Sequence, residues 1–552
     1  MNLIRIKEWV REEWILVAIL VLAFLVRIAG ITYGLPLTLV ADEPPFTLGA
    51  LQMLQTHLLI PSLHESAFTV LYYPPYTSYL LLLPFVVLIG VKYLLWHGAA
   101  ALFPSYVLSD LTWFFVTARL LDVVLGVASV YLVYRVAESL FRSKAAAAFA
   151  GFLLATSILH EALSMVGRQW LPVSFFFILI LFILTRERLS FSYRYFFSFL
   201  LAGIAVGFSS IAVLAVVLIG LYYLLFDVRA VQNMWRDLPR LSLYGALFAA
   251  LALLPSLLHS GSNGFVVALT LFKEKTLMSF LLSPWEALTQ TLFSEPVLTG
   301  FFIFGLIATL LYARRVFVLA ASFFILYVLT FYTFFRLEPR FIVPLLPLYA
   351  LLGGFCIAKV WNKKINLFIL LVLALPLLTS LRLSYLTYEG DTRDAARTWL
   401  LRELKPTDNV LVYAPGMRLP STRGSLEELR AIDQSLVRKT DEAEAALDFK
   451  NVPHALNNLI NVSNASFLRS LPTYAATHNY MYLVIAPEVL STSTAPIIAR
   501  LTKGWDEVAR FDGFGPRMST YESDFLRSFP ELFQKRMLGP DIVIYHSPKT
   551  HP

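Results

Sequence analysis

The chain has 552 residues, of which 58% are hydrophobic and only 15% are charged, and its formal net charge is +8. Soluble globular domains carry roughly 45–50% apolar and about 25% charged residues, so this composition excludes an ordinary soluble enzyme. The 44 phenylalanines, 26 tyrosines and 10 tryptophans exclude a disordered chain, because they supply far more apolar surface than such chains contain. The single cysteine, Cys356, excludes an intrachain disulfide framework and any CxxC site.

Apolar runs broken by short polar loops extend from Trp14 to Ser380. Runs of about 20 apolar residues span a bilayer, and the chain contains eleven candidate crossings, at 14–33, 112–136, 145–163, 171–185, 195–209, 210–226, 241–258, 298–312, 316–335, 341–358 and 366–381. A further apolar stretch at 76–96 can lie along the membrane, re-enter it, or pair with 97–111 as an extra hairpin. The sequence therefore predicts a polytopic α-helical membrane protein with about 11–13 transmembrane helices in residues 1–382.

Residues 383–552 have the mixed polar composition of a soluble domain. Helical patterns alternate there with short strand-like runs, the helices at 394–403, 425–437 and 495–503 and the strands at 409–413, 480–486 and 541–545. Alternating elements of this length favour an α/β domain with a mostly parallel sheet. No glycine-rich phosphate loop accompanies them, so the pattern gives no support to nucleotide binding.

The distribution of lysine and arginine among the loops predicts the orientation, because cytoplasmic loops carry an excess of both residues. One set of loops carries sixteen of them, and the opposite set carries five, Arg168, Lys273, Lys275, Arg336 and Arg340. The first set, which includes the N-terminus, is therefore predicted to be cytoplasmic. Eleven crossings then place the loop 34–76 and the domain 383–552 outside the cytoplasm, in a multi-pass protein of the cell membrane (inner or plasma membrane).

The loop 34–76 contains no lysine or arginine and carries the acidic pair Asp42-Glu43 in front of Pro44-Pro45. One interpretation is a pair of solvated charges at a helix exit. The other is a catalytic site at the membrane surface, because a carboxylate held there can accept a proton from an attacking hydroxyl or amine. We predict that Asp42 and Glu43 are catalytic, since no other short external segment concentrates acids without any basic residue.

The same loop ends in the segment Tyr73-Pro74-Pro75-Tyr76. Two consecutive prolines exclude helix and favour extended geometry, so the segment can serve as a rigid entry to the next apolar run. It can also form an aromatic wall beside the acidic pair. The two interpretations are compatible, and we place these four residues in the predicted substrate cavity.

A second external turn contains Arg336, Glu338 and Arg340. The positive-inside tendency disfavours arginine on this side, so two arginines within five residues need a reason. They can extend to the membrane interface with Glu338 as an ion partner, or they can bind phosphate, whose oxygens a guanidinium contacts bidentately. A phosphate at this face that is attached to a hydrophobic group would be a lipid phosphate. Arg168, at another external turn, could join this predicted donor-phosphate site.

Arg119 and Asp122 share one face of the span 112–136, near its outer half. Their three-residue spacing favours an intrahelical ion pair. A charge within a membrane span also indicates function, so we include Arg119 and Glu338 among the residues of the predicted cavity.

Several of these motifs occur in an order that is typical of a known family. They are a late arginine in the first span, Arg27; then Asp42-Glu43; Pro74-Pro75; an arginine that opens the next span, Arg119; and Arg340-Phe341-x-x-Pro344-x-x-Pro347. Over about residues 14–360 the chain thereby resembles the GT-C membrane glycosyltransferases. It is most similar to bacterial relatives of the dolichyl-phosphate-mannose protein mannosyltransferases and of the lipid A aminoarabinose transferase.

The resemblance implies an extracytoplasmic active site, a polyprenyl-phosphate sugar donor, an inverting transfer, and a match of Asp42 to the catalytic aspartate. The chain departs from many relatives in Arg168-Gln169-Trp170, where an acidic residue is absent and the nearest acid is Glu161. The position before Pro-Pro, often His or Lys in the family, is Tyr73. We therefore expect no required cofactor, and the sequence leaves the use of a divalent metal open.

The sequence predicts an integral membrane glycosyltransferase of the cell envelope, a hexosyl- or pentosyltransferase with Asp42 as general base. We expect membrane lipid and a glycan, lipid or protein acceptor as partners, and no nucleic acid. The alternative is a transporter or flippase of a lipid-linked or small anionic substrate, which predicts broken or charged helices near the bilayer midplane and an inverted repeat. No convincing repeat relates the two halves of the sequence, and the conspicuous charges lie at the edges of external loops.

We expect a reporter fused after Thr387 to lie outside the cytoplasm and one fused after Arg314 to lie inside it. The reason is the distribution of sixteen against five basic residues between the two sets of loops. A reporter enzyme that is active in only one compartment measures this directly. A cytoplasmic location after Thr387 would contradict the predicted number of crossings and would move the site to the wrong face.

Overall fold

The computed structural model describes residues 13–40, 42–63, 73–228, 231–258, 276–334, 338–361, 364–447, 452–462, 464–513, 530–534 and 537–548. In these ranges the membrane part is built from the helices α1 (Trp14–Ile28), α2 (Pro44–Thr56), α3 (Tyr76–Leu95), α4 (Phe103–Ser109), α5 (Thr112–Phe141), α6 (Lys144–Ala155), α7 (Ile158–Ser164), α8 (Trp170–Leu184), α9 (Phe191–Val206), α10 (Ala215–Tyr222), α11 (Val231–Leu258), α12 (Leu277–Ser294), α13 (Pro296–Tyr312), α14 (Arg314–Phe334), α15 (Leu346–Val360) and α16 (Asn366–Glu389). Short 3₁₀ segments, Ser210–Leu214 and Pro339–Leu345, lead into α10 and α15.

Most of these helices are strongly apolar. Among the described residues, seven helical segments are long and apolar enough to cross a membrane, and the bent pair of α6 and α7 makes eight. Four shorter apolar helices, α1, α8, α9 and α13, have 15 to 17 residues each. The predicted polytopic helical membrane fold is confirmed.

The apolar stretch that the sequence left ambiguous forms α3. Near its beginning, the Ser78 hydroxyl donates to the carbonyl of Phe46 in α2 at 2.9 Å. Near its end, the Lys92 amine donates at 2.9 Å to the backbone two residues before α5 begins. Glu43, just before α2, binds Arg119 in the first half of α5. Both ends of α3 therefore lie near the same end of α5, which favours a helix that lies along the membrane.

The span formed by α6 and α7 is broken, with an angle of 58° between the two helices. A break inside a membrane exposes backbone groups that have no water to bind. The guanidinium of Arg27, from the last turn of α1, satisfies the carbonyl side by donating to Leu154 at 3.1 Å and to Ala155 at 2.9 Å. Its positive charge is favourable at the C-terminal end of α6 because the helix dipole is negative there.

Glu295, between α12 and α13, satisfies the amide side of the same break. Its carboxylate accepts the Ser157 hydroxyl at 2.6 Å and the backbone N–H of Leu159 at 2.7 Å. Two oppositely charged side chains from distant parts of the sequence thus hold the two sides of the break.

A second buried acid fixes the middle of α7. The carboxylate of Glu161 accepts hydrogen bonds from the hydroxyls of Ser380 and Ser384 on α16. Because α7 is held in this way, the turn 165–169 that follows it has a defined place at the end of the helix bundle.

The C-terminal domain begins directly after α16, which continues to Glu389, beyond the predicted boundary at 382. Its described elements are α17 (Thr392–Glu403), β1 (Asn409–Tyr413), α18 (Arg423–Ile432), α19 (Lys439–Ala446), β2 (His454–Leu456), α20 (Ala465–Thr477), β3 (Tyr480–Ile485), α21 (Ala495–Leu501), β4 (Asp506–Phe511) and β5 (Ile542–His546). They form an α/β fold with the strand order β2-β1-β3-β5-β4.

The sheet is less parallel than predicted. Strands β2, β1 and β3 are parallel, whereas β5 is antiparallel to both of its neighbours, β3 and β4. Antiparallel strands at one side of an otherwise parallel sheet are common in α/β folds, and periodicity along a strand does not reveal its direction. Both faces of the sheet are buried, since Leu411 and Tyr413 of β1 pack on one side and Val410 and Val412 on the other.

Candidate active site

Asp42 lies in the turn immediately before α2, whose first residue is Pro44. Its backbone is left-handed, with φ +60°, a conformation that Asp tolerates better than most residues. The Asp42 side chain is 30% exposed, whereas that of Glu43 is fully buried. The turn therefore directs the two acids differently, one carboxylate into an open corner and the other into the protein.

The buried carboxylate of Glu43 is paired with Arg119 of α5. Arg119 Nε and NH2 each donate to one oxygen of Glu43 at 2.7 Å, in a bidentate ion pair. Arg119 NH1 donates to the carbonyls of Ile31 and Tyr33 at 2.8 and 2.7 Å, and the backbone N–H of Gly167 donates to Glu43 at 3.1 Å. Glu43 and Arg119 thus anchor the loop from both sides and have no exposed surface of their own.

The predicted ion pair between Arg119 and Asp122 is wrong. Arg119 is occupied by Glu43 and by loop carbonyls, and Asp122 accepts the backbone N–H of Arg168 at 2.9 Å. The helical spacing placed both side chains on one face of α5, but only the folded chain supplies these closer partners. The turn 165–169 also packs tightly on α5, because a Cβ at Gly167 would lie 2.8 Å from the Cβ of Ala118.

The turn 165–169 presents the Arg168 side chain to Asp42. Arg168 NH2 donates to Asp42 Oδ2 at 2.8 Å, and the arginine side chain is only 2% exposed. Burial lowers the pKa of the Arg168 guanidinium, and the Asp42 carboxylate opposes that shift. The Asp42 carboxylate is also the counterion of this buried guanidinium.

Arg340, in the 3₁₀ segment before α15, is the second cation near Asp42. Its NH1 lies 3.7 Å from Asp42 Oδ2, and its Nε lies 2.8 Å from Glu338 Oε2. The Arg340 guanidinium also lies over the ring of Phe341, at 5.1 Å. The ion pair with Glu338 and the approach to Asp42 therefore coexist. Arg336, the other arginine predicted here, lies outside the described residues.

Tyr73 borders the same corner. Its ring stacks on Phe46 with a centroid distance of 5.0 Å, and its hydroxyl lies near the side chain of Gln169. Burial raises the pKa of Tyr73, and the nearby Asp42 carboxylate raises it further, so the phenol stays protonated. Sequence reasoning missed Phe46 and Gln169, and the only available signal was that Gln169 adjoins Arg168.

The rest of the predicted aromatic segment leads into α3. Pro75 is the N-cap residue of that helix, and Pro74 precedes it. The backbone N–H of Tyr76 donates to the carbonyl of Gly207 at 3.1 Å, and its ring meets Phe208 edge-on at 6.0 Å. The structure therefore places Tyr73 beside the acidic turn and Tyr76 against the end of α9.

We call the group formed by Asp42, Arg168, Arg340 and Glu338 the charged corner. It contains a partly exposed carboxylate in contact with one buried guanidinium and close to another. Such a corner can bind an anion and accept a proton within a few ångströms. Within the described part of the chain, no group of three or more His, Cys, Asp or Glu side chains is arranged to hold a metal ion.

No family model matches the sequence, and no curated protein matches it. The chain is similar to the solved structure of ArnT from Cupriavidus metallidurans bound to undecaprenyl phosphate, with 11% identity, 99% of each chain covered and a TM-score of 0.45. It is also similar to the archaeal oligosaccharyltransferase AglB from Archaeoglobus fulgidus in complex with an inhibitory peptide and a dolichol-phosphate, with 13% identity, 93% of this chain and 75% of that chain covered, and a TM-score of 0.43.

We expect Glu43→Gln to destabilise the protein strongly, because it leaves the buried Arg119 charge without its counterion. Removing one partner of a buried pair costs about 3–5 kcal/mol. The matched control is Glu507→Gln, which breaks the exposed pair with Arg510 on β4 and should cost no more than about 1 kcal/mol. The midpoints of thermal unfolding in one detergent provide the comparison. Equal midpoints for the two variants would contradict the anchoring role of Glu43.

Proposed function

We propose that the chain is an integral membrane glycosyltransferase that moves a sugar from a polyprenyl-phosphate donor to an acceptor on the extracytoplasmic face. One observation carries the proposal: the Asp42 carboxylate lies 2.8 Å from the guanidinium of Arg168 and 3.7 Å from that of Arg340. A fixed carboxylate beside two fixed cations suits a reaction in which one reactant loses a proton while the other releases a phosphate.

The two arginines are the proposed site for the donor phosphate. Guanidinium groups bind phosphate oxygens through paired, charge-assisted hydrogen bonds. Arg168 is held rigidly by burial, and Arg340 is 17% exposed, so a ligand can reach the pair from one side. Because the corner lies where apolar helices end, a phosphate carried on a long lipid can reach it while its hydrocarbon chain stays in the membrane.

The proposed reaction is a single displacement. A hydroxyl or amine of the acceptor attacks the anomeric carbon of the sugar, and its proton passes to Asp42. The bond from the anomeric carbon to the phosphate oxygen breaks, and its electron pair stays on the lipid phosphate beside Arg168 and Arg340. Attack opposite the leaving group inverts the anomeric centre. Each fixed donor of this kind can contribute about 3–4 kcal/mol to the transition state.

The ion pair between Asp42 and Arg168 indicates the order in which the two substrates bind. In the structure, Asp42 Oδ2 already accepts from Arg168 NH2, so the carboxylate and an incoming phosphate compete for the same donor. A phosphate that takes this guanidinium leaves the Asp42 oxygen available to the acceptor. We therefore propose that the lipid-linked donor binds first, and that acceptors of different kinds (glycan, lipid or protein) meet the same carboxylate.

One observation favours the alternative class, a transporter or flippase. The α6–α7 span is broken and is surrounded by the buried charges of Arg27, Glu161 and Glu295, as expected for transporters. However, Arg27 and Glu295 donate to and accept from the backbone at the break itself, and Glu161 is held by two serine hydroxyls. These charges therefore have a structural explanation, whereas the charged corner is open to a ligand.

Asp42→Asn should abolish most of the transfer activity, and it should preserve or tighten donor binding because a neutral amide competes less with the phosphate for Arg168. Asparagine keeps the size, the tolerance of a left-handed backbone and the ability to accept from Arg168, but it is not a base. We expect turnover to fall by about 100- to 10,000-fold, the usual contribution of general acid–base catalysis. The measurement is the initial transfer rate from radiolabelled polyprenyl-phosphate sugars in nanodiscs, as a function of donor concentration. Full turnover in this variant would show that Asp42 is not the general base.

Arg340→Ala should show the opposite pattern in the same assay, with weakened use of the donor. Arg340→Lys should recover it only in part, because an ammonium lacks the planar fork. Binding of undecaprenyl phosphate alone, measured without any sugar, separates this effect from chemistry. Unchanged phosphate affinity in Arg340→Ala would assign Arg340 to its ion pair with Glu338 and not to the donor.

A further inference from the structure

Three residues join the soluble domain to the loop that carries Asp42. The hydroxyl of Tyr33 donates to Asp391 Oδ2 at 2.7 Å, across 358 positions of the sequence. Arg393 pairs with the same carboxylate, through Nε to Oδ1 at 2.7 Å and NH2 to Oδ2 at 2.8 Å. We call Tyr33, Asp391 and Arg393 the interdomain clasp. Its carboxylate is fully buried, so each of these hydrogen bonds lies away from water.

The clasp is rigid on the side of the soluble domain. Asp391 is the N-cap of α17, since its Oδ1 accepts the backbone N–H of Arg393 at 2.9 Å. The next residue, Thr392, donates its backbone N–H to Leu538 at 2.9 Å and its hydroxyl to Pro540 at 2.6 Å. Gly539 between them has φ +103°, and a Cβ there would lie 2.6 Å from Asp391 Oδ1. The first and last parts of the domain thus enclose the Asp391 carboxylate.

The clasp is also linked to the anchor of the catalytic turn. The carbonyl of Tyr33 accepts from Arg119 NH1 at 2.7 Å, and Arg119 is the bidentate partner of Glu43. Residues 33 and 43 are therefore held by one arginine, and residue 33 is held again by the soluble domain. A second contact lies between them, because a Cβ at Gly416 of the soluble domain would lie 3.0 Å from Leu39.

The segment held in this way is strained. Thr38 and Asp42 both have positive φ, 55° and 60°. This conformation is unfavourable for a β-branched residue such as threonine, and such residues persist in it only where the surroundings leave no alternative. The fixed points at Tyr33, Leu39 and Glu43 supply that restraint.

We propose that the soluble domain positions the catalytic turn through the interdomain clasp, with Tyr33 and Asp391 as positioning residues for Asp42. The inference rests on the proposed function of Asp42, but the restraint itself does not depend on any reaction. Arg168 and Arg340 come from other parts of the fold. Loss of the clasp should therefore disturb the base and leave the phosphate site in place.

The test is Tyr33→Phe in the full-length protein, which removes one hydroxyl. A matched control exists at the other end of the molecule, where Tyr195 donates to Asp227 at 2.6 Å and Arg194 pairs with the same aspartate. Tyr195→Phe removes the same kind of hydrogen bond without touching the loop. Asp391→Asn serves as the more severe variant, because it also leaves the buried Arg393 guanidinium without its carboxylate partner.

In Tyr33→Phe, amide hydrogen exchange in the loop should become faster and sugar transfer should become slower. Amide hydrogen exchange of residues 34–42 in nanodiscs should accelerate by about tenfold or more in Tyr33→Phe, the effect of one lost hydrogen bond to a carboxylate. The rate should stay near wild type in Tyr195→Phe, and Asp391→Asn should accelerate exchange of residues 34–42 at least as much as Tyr33→Phe does. The affinity for undecaprenyl phosphate should be unchanged in Tyr33→Phe, while transfer falls about tenfold.

The outcomes separate the inference from the proposed function. Unchanged exchange of residues 34–42 in Tyr33→Phe would overturn the inference, and so would faster exchange throughout the soluble domain, which would make the clasp a general anchor. Weaker binding of undecaprenyl phosphate in Tyr33→Phe would also overturn it. If the wild-type protein neither binds undecaprenyl phosphate nor transfers a sugar, the proposed function fails, and the exchange experiment still decides whether the clasp restrains the loop.

Discussion

The buried ion pair of Glu43 and Arg119 is the interaction on which the site depends. Both side chains are completely withdrawn from water, a state that is unfavourable for ions unless every donor finds a partner. Here the guanidinium makes four hydrogen bonds, two to the carboxylate and two to loop carbonyls, and the backbone N–H of Gly167 donates a third hydrogen bond to Glu43. The pair thereby joins the first loop, α5 and the turn 165–169. The position of Asp42 therefore depends on the neighbouring Glu43, whose side chain is completely buried.

Charged side chains also hydrogen-bond to backbone groups deeper in the helix bundle. Arg27 and Glu295 serve the carbonyls and amides that the break between α6 and α7 would otherwise leave unsatisfied. The break also determines the direction of α7, and α7 leads into residues 165–169, which carry Arg168. Charged residues within the membrane part therefore have two roles. Some replace missing backbone hydrogen bonds, and others form the charged corner where a ligand can bind.

The sequence predicted features that depend on local pattern and missed those that depend on distant contacts. The apolar runs and strands such as 409–413 are confirmed, because burial and periodicity are written into consecutive residues. Helix α2 lies within residues 34–76, which were predicted as a loop; it begins with two prolines, a residue that is favoured at the first positions of a helix. For the site, Asp42, Arg168 and Arg340 were singled out by type and location. Their mutual distances, the partner of Arg119 and the contact of Tyr33 with Asp391 arise only on folding, since no local pattern links positions so far apart.

The left-handed backbone of Asp42 restricts which residues can replace it during evolution. At φ +60° glycine, asparagine, aspartate and histidine are accommodated with less strain than other residues. Glutamate, the replacement that would keep the charge, carries a longer side chain and has no such tolerance. Of the residues that the backbone accepts, aspartate alone is an acid. The backbone thus favours a short polar side chain at this position, and the proposed reaction independently requires a carboxylate there.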